Sequence, residues 1–139
     1  MEGKILILDF GSQYTQLIAR RIRELNVYCE IYPYNKTPKL SKNYFGVILS
    51  GSPYSVHDDN SLKVDIDNFN NLPILGICYG AQFMAKKLGC TVLPSKIREY
   101  GRANLSSIDN NSILFNGVGV GSNVWMSHGD SITQVSDKI

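Results

Sequence analysis

The sequence predicts an α/β fold: an open, mostly parallel sheet with helices on both faces, followed by an antiparallel β portion. Up to Leu93, short apolar runs alternate with segments of helical periodicity. The apolar runs lack polar alternation, as expected of parallel strands that are covered on both faces. After Pro94 the alternation ends and short extended segments with turn residues follow.

The elements are predicted in chain order from these patterns. Strands are expected at residues 4–9, 28–32, 45–49, 74–77 and 90–93. Helices are expected at residues 14–25, at residues 61–70 with Ser61 as cap, and after Cys78 as far as Leu88, where Gly89 ends the helix. The β portion is expected to comprise an extended segment at 100–108, a turn at 109–112 and two short strands, 124–126 and 131–133, around a turn at 127–130. No repeat or linker interrupts the chain, so residues 1–139 are expected to form one domain.

Composition excludes several classes of protein. The chain is 43% hydrophobic and 19% charged, and its net charge of +2 gives no reason to expect binding to nucleic acid or a membrane. We expect no signal peptide, and the sequence has no apolar stretch as long as a membrane span. Cys29, Cys78 and Cys90 are odd in number and lack metal-ligand spacing. These features predict a cytoplasmic protein with reduced thiols and no metal site.

The residues around Cys78 are the strongest candidate for a functional site. Gly76, Cys78 and Gly80 form a Gly-x-Cys-x-Gly pattern between a predicted strand and a predicted helix, the arrangement of a nucleophile elbow. The glycines are expected where the backbone passes close to its neighbours. The helix N-terminus should favour a thiolate. The alternative is that Cys78 is a small buried hydrophobic residue, but the strand-to-helix context favours a nucleophile.

Acyl-transfer chemistry also requires an oxyanion hole and a base. The N–H of Tyr79 is a natural oxyanion donor, and the turn at residues 50–53 is either the source of a second donor or an ordinary turn. His57 lies in a polar loop and is expected to be a solvated surface residue. His128, placed in a turn beside Asp130, is a ligand contact, a base or a turn residue, and the sequence leaves these alternatives open.

Several stretches together resemble the amidotransferase domain of glutamine-hydrolysing GMP synthetases, which are class I, triad-type glutamine amidotransferases. The matching stretches cover most of the chain: residues 5–14, 49–56, 76–82, 98–101 and 124–130. The opening Asp-Phe-Gly-Ser-Gln-Tyr and the segment Trp-Met-Ser-His-Gly-Asp resemble the GMP synthetase branch in particular. The resemblance implies the flavodoxin-like sheet of that family.

The resemblance also implies residue roles. Cys78 resembles the nucleophile that forms a γ-glutamyl thioester, and the backbone N–H groups of Tyr79 and Ser52 resemble the oxyanion hole. The residues that resemble the family's substrate-binding positions are Gly51, Gln82, Ser127, His128, Gly129 and Asp130. On this interpretation His128 binds substrate and is not the base. No cofactor is implied for this domain, because ATP and Mg²⁺ would belong to the synthetase domain.

The sequence departs from the family in two places. The family usually has glycine where Ser52 stands, and serine would be strained there if the turn required a positive φ. The family's catalytic His-Pro-Glu motif does not occur in these residues. We therefore expect an incomplete amidotransferase domain that is inactive alone and whose partners are glutamine and an ATP-dependent synthetase domain or subunit. Exposed apolar surface would also favour homo-oligomers.

Three other functions stay open on the sequence alone. The chain is either a non-catalytic module that binds glutamine or a partner, another class I amidotransferase subunit such as one paired with a chorismate-using synthase, or a cysteine hydrolase using Cys78, His128 and Asp130. The missing His-Pro-Glu motif favours the first of these, and the segment at residues 125–130 argues against the second.

Overall fold

The computed structural model describes residues 3–69 and 71–139. These residues form two compact units. The first unit consists of the described residues up to Pro94 together with Asp130–Ile139, and the second is Ser95–Gly129.

A four-stranded parallel sheet forms the centre of the first unit. Its strands are β1 (Lys4–Asp9), β2 (Tyr28–Pro33), β3 (Tyr44–Leu49) and β4 (Ile74–Gly76). Their order in the sheet is β2-β1-β3-β4, and every neighbouring pair is parallel. The predicted strands are confirmed to within one or two residues at each end. Because the strands are parallel, their carboxyl ends and the loops that follow lie along one edge of the sheet.

Helices cover both faces of this sheet, as predicted. Helix α1 (Thr15–Glu24) packs on the face where Ile7 is buried, and helix α2 (Tyr79–Lys87) packs on the face where Leu6 and Leu8 are buried. Successive residues of β1 thus point to opposite faces, and both faces are apolar because both are covered. Helix α2 ends at Lys87 and is followed by Gly89 at φ +84°, the left-handed position expected after a helix.

Two longer strands, β5 (Thr91–Asn104) and β6 (Asn123–Gln134), pair in a separate two-stranded sheet. The pairing is antiparallel: the Thr133 hydroxyl donates to the Thr91 carbonyl near one end of the ribbon, and the Leu105 N–H donates to the Ser122 carbonyl near the other. The predicted antiparallel β portion is therefore confirmed.

Two predictions about this ribbon are wrong. The predicted strand at residues 90–93 is the start of β5 and does not belong to the parallel sheet. The residues predicted as a turn, 127–130, lie inside the continuous strand β6. Gly129 does not have a positive φ, so the backbone needs no turn there, and the two short strands predicted around it are one long strand.

The helix predicted over residues 61–70 is also wrong, and its last residue, Asn70, lies outside the described residues. Only a short 3₁₀ helix forms, Ile66–Phe69. The Leu62 carbonyl accepts a hydrogen bond from the Tyr79 hydroxyl (2.6 Å), which occupies an acceptor that a helix would use. The Asp65 side chain accepts from the Asp67 N–H (3.1 Å), an Asx turn that competes with regular helix.

Candidate functional site

Cys78 has a strained backbone conformation at the junction of β4 and α2. Its φ is +51° and its ψ −111°, and among the described non-glycine residues only Asn26 also has a positive φ. Such a conformation costs of order 1–3 kcal/mol and persists only where the surroundings enforce it. Here Ile77 N–H donates to the Leu49 carbonyl (2.9 Å), and Gly80 N–H lies 3.1 Å from the Ser50 carbonyl. The end of β3 therefore holds both sides of the bend.

The two glycines of the elbow are required by close backbone contacts. A Cβ atom on Gly76 would lie 2.6 Å from the backbone nitrogen of Ala81, and one on Gly80 would lie 2.4 Å from the Leu49 carbonyl oxygen. In both cases the neighbour is backbone and has little room to move. The predicted close approach at these two positions is confirmed.

The turn that follows β3 lies directly beside the thiol. A Cβ atom on Gly51 would lie 3.8 Å from Cys78 Sγ. Ser50 anchors this turn: its Oγ accepts a hydrogen bond from the Phe10 N–H (2.9 Å) and donates to the Gly51 carbonyl (3.0 Å). Ser52 does not have a positive φ, so the strain that would arise in serine at such a position is absent.

Burial is the main influence on the thiol of Cys78. It raises the pKa of the thiol, because the charged thiolate loses solvation, and the negative charge of Asp130 raises this pKa further. The Tyr79 N–H at the start of α2 lowers it. The helix N-terminus thus favours the thiolate, as expected from the sequence, but burial outweighs it and the net pKa lies above the ordinary value.

Gln82 and Asp130 meet one helical turn beyond the nucleophile candidate. The Gln82 N–H donates to the Cys78 carbonyl (3.0 Å), and its side-chain Nε2 donates to the Asp130 backbone carbonyl (2.9 Å). Both residues are buried. The start of α2 therefore fixes the position of Asp130 relative to the elbow.

The carboxylate of Asp130 is buried and forms no ion pair with any residue that the structure describes. Asp130 is 6% exposed, and its Oδ2 accepts a hydrogen bond from Ser55 Oγ (2.6 Å). No Lys, Arg or His in residues 3–69 and 71–139 forms an ion pair with it. Burying a carboxylate without a positively charged neighbour is costly, and a positively charged ligand group would offset that cost.

Ser127, His128 and Gly129 belong to the second unit, on strand β6. His128 Nε2 lies 3.4 Å from Glu99 Oε2, across the ribbon. His128 Nδ1 is buried and has no hydrogen-bond partner among the described residues. Gly129 lies beside Arg98, whose side chain would be 3.7 Å from a Cβ at that position.

Comparison with known proteins identifies the family. The sequence model of "Glutamine amidotransferase class-I" matches residues 6–139. The chain belongs to the class-I glutamine amidotransferase family. GMP synthases [glutamine-hydrolyzing] from Cytophaga hutchinsonii and Bacteroides fragilis are each 59% identical to it, over 97% and 99% of the chain. The chain spans 27% of the length of either relative.

One solved structure supports the same family, and a second supports the fold. A Thermoplasma acidophilum protein described as a GMP synthase subunit superposes with a TM-score of 0.80 at 30% identity, covering 99% of this chain and 70% of the other. A Thermotoga maritima glutamine amidotransferase superposes with a TM-score of 0.70 at 21% identity, covering 94% of this chain and 62% of the other, which supports the fold alone.

The predicted site residues of this amidotransferase chain fall in both units. The first unit brings together Cys78, Tyr79, Gly51 and Gln82, with Asp130 beside Gln82. Their roles stay predictions. His57 is exposed, as the sequence predicted.

The alternative grouping of Cys78 with His128 and Asp130 stays a hypothesis. Within the second unit, the carboxylate near His128 is that of Glu99. The hydrogen bond that the Asp130 carboxylate accepts comes from Ser55.

Sequence reasoning missed Ser55. It lies 75 positions from its partner Asp130, and no periodicity or spacing connects the two. The only available signal was that Ser55 lies inside one of the stretches that resemble the family, residues 49–56.

Metal-binding clusters and membrane-spanning helices are both absent from the part of the chain that the structure describes. Its His, Cys, Asp and Glu side chains form no group of three or more that could hold a metal ion. None of its helices is long and apolar enough to span a membrane.

Proposed function

We propose that this chain is the glutamine-hydrolysing part of a GMP synthase. The observation that carries the proposal is the strained Cys78 elbow, packed between the Gly51 turn and the N-terminus of α2. Its 59% identity to GMP synthases [glutamine-hydrolyzing] supports this branch of the amidotransferase family over others.

In the proposed reaction, the Cys78 sulfur attacks the side-chain amide carbon of glutamine. The carbonyl oxygen gains negative charge, which the N–H groups of Tyr79 and Ser52 stabilise. The carbon–nitrogen bond then breaks, and the nitrogen takes up the proton that the thiol gave to a base and leaves as ammonia. Water hydrolyses the remaining γ-glutamyl thioester to glutamate and regenerates the thiol.

The buried Asp130 carboxylate supports binding of an amino acid. A carboxylate that is held by Ser55 and has no cation paired with it in the described part of the chain suits the α-ammonium group of glutamine. Gln82, which bonds to the Asp130 carbonyl, and Gly51, beside the thiol, are proposed to line the same site. The family resemblance adds Ser127, His128 and Gly129 as substrate-binding residues.

The base and the acceptor of ammonia are proposed to lie outside these residues. The family's His-Pro-Glu motif does not occur in the sequence, so we propose that residues 1–139 alone hydrolyse glutamine very slowly. A cytoplasmic synthetase domain or subunit, using ATP and Mg²⁺, would take the ammonia to aminate XMP to GMP.

The test is ammonia release from glutamine by three proteins: the 139-residue chain, a chimera that continues with the region that follows in the Bacteroides fragilis relative, and the same chimera with Cys78→Ala. We expect activity only in the first chimera, with the short chain at least ~100-fold slower because it lacks a general base. Comparable Cys78-dependent activity in the short chain would contradict this and make His128 the candidate base.

A labelling experiment tests the nucleophile directly. A chloromethyl ketone analogue of glutamine should alkylate Cys78 before Cys29 and Cys90, which are both buried. Peptide mass spectrometry at short reaction times identifies the modified residue. Faster labelling of either other cysteine would overturn the assignment of Cys78.

A further inference from the structure

The loop after the Gly51 turn holds Ser55 in one orientation. The Ser55 N–H donates to Asp58 Oδ2 (2.8 Å), and the Asp58 N–H donates back to the Ser55 carbonyl (3.2 Å). The His57 N–H donates to Ser55 Oγ (3.1 Å). The backbone of Ser55 and one acceptor site of its hydroxyl are therefore fixed within a tight turn.

The Ser55 hydroxyl group takes part in two hydrogen bonds, one as donor and one as acceptor. The Ser55 hydroxyl donates to Asp130 Oδ2, 2.6 Å away, while its oxygen accepts from the His57 N–H. The distance is typical of a charge-assisted hydrogen bond to an ionised carboxylate. Asp130 therefore interacts with a donor that is itself already oriented.

Asp130 is held at its backbone as well as at its carboxylate. Gln82 Nε2 binds the Asp130 carbonyl, and Ser55 binds Oδ2. Of the two carboxylate oxygens, Oδ2 is the one that Ser55 engages. The torsion that turns a carboxylate about its own axis is otherwise soft, so the Ser55 bond decides where Oδ1 points.

We propose that Ser55 is a positioning residue for substrate: it orients the Asp130 carboxylate so that its second oxygen receives the α-ammonium group of an amino acid. This inference rests on the proposed function. Ser55 does not touch the reacting atoms, and its effect is on binding through preorganisation of Asp130.

The proposal predicts a defect that is specific to ligands with an ammonium group. In Ser55→Ala, the concentration of the glutamine chloromethyl ketone that gives half-maximal labelling of Cys78 should rise about tenfold, as for loss of a hydrogen bond to a charged group. The maximal labelling rate should stay within about twofold. Iodoacetamide, which has no ammonium group, should label Cys78 at an unchanged rate, which also shows that the elbow is folded.

Three further variants complete the experiment. Ser55→Thr keeps the hydroxyl and should restore most of the affinity. Ser41→Ala deletes an exposed serine hydroxyl in the loop before β3, at the opposite end of the sheet, and should leave both reagents unaffected. Asp130→Asn should weaken binding of the chloromethyl ketone at least as much as Ser55→Ala does.

The outcomes separate this inference from the proposed function. Unselective labelling of the unsubstituted chain by the glutamine analogue would overturn both. Selective labelling of Cys78 with equal half-saturation in Ser55→Ala would overturn the role of Ser55 alone. An equal fall in the iodoacetamide rate, or no recovery in Ser55→Thr, would show a structural role and also overturn it.

Discussion

At the scale of single residues, the chemistry of Cys78 is a balance between burial and charge. Burial and the Asp130 carboxylate raise the pKa of its thiol, and the Tyr79 N–H lowers it. The net effect is that the Cys78 thiol resists ionisation more than an ordinary cysteine does. Since Asp130 carries one of the two unfavourable contributions, neutralising its charge should release the thiolate at lower pH.

Asp130→Asn tests this balance in the absence of substrate. The substitution removes a negative charge that disfavours the thiolate, so the rate of alkylation by iodoacetamide should reach its half-maximal value at a lower pH than in the unsubstituted chain. Asp137→Asn removes the same charge from an exposed residue and should leave the curve unchanged. A curve that moves to higher pH in Asp130→Asn would show that Asp130 acts on Cys78 mainly through structure.

At the scale of elements, the sequence predicted those that local pattern determines. The strands β1 to β3 and the helices α1 and α2 are continuous apolar runs or amphipathic segments, and they were predicted closely. The segment at 61–70 has helical periodicity as well, yet the Leu62 carbonyl is taken by Tyr79, 17 residues away. A contact of that separation leaves no mark in a local pattern, so the helix was predicted wrongly.

In the two-stranded sheet of β5 and β6, local sequence signals predict a turn where the structure has a strand. The residues at 127–130 include glycine and polar side chains, which locally favour a turn. Pairing with β5 keeps them extended within β6 instead. The candidate site has the same limitation: the motif around Cys78 was visible in sequence, but the bond between Ser55 and Asp130 depends on the fold.

The close contact between Gly80 and the end of β3 leads to a testable prediction. Gly80→Ala would place a methyl group 2.4 Å from the Leu49 carbonyl oxygen, so the end of β3 and the start of α2 must separate. We expect a loss of about 1–3 kcal/mol in the free energy of unfolding, measured by urea denaturation, and slower labelling of Cys78. Gly119→Ala is the control, because a Cβ added there would meet nothing within 4 Å and the φ of Gly119 is not positive. Equal stability of the two variants would contradict the close approach.

At the scale of the whole molecule, buried tyrosine links stability to pH. Tyr44 lies at the start of β3, and its hydroxyl donates to the Glu30 carboxylate, which also pairs with Lys4 Nζ (2.9 Å). Burial, followed by the bond to Glu30, raises the pKa of Tyr44 to about 12, from an ordinary value of 10.0. The neutral phenol is thus favoured in the folded state.

The direction in which stability changes with pH follows from the linkage between proton binding and folding. Below pH 10 the phenol is neutral in both the folded and the unfolded state, and its contribution to stability is fully present. Between pH 10 and about 12 the unfolded chain loses this proton first, so stability falls as pH rises. Tyr79, whose pKa is also raised by burial, contributes in the same direction.

Tyr44→Phe separates this contribution from the rest. The variant should be less stable at neutral pH by about 1 kcal/mol, because the hydrogen bond to Glu30 is lost. Its free energy of unfolding should nevertheless fall less steeply from pH 10 to 12 than that of the unsubstituted chain, since it lacks the phenol whose pKa is raised in the folded state. Tyr28→Phe is the control, because Tyr28 lies on β2 and is 58% exposed. It should show the same fall in the free energy of unfolding between pH 10 and 12 as the unsubstituted chain. Parallel curves for all three proteins would show that Tyr44 does not resist ionisation in the folded state, and that the fall at high pH has another origin.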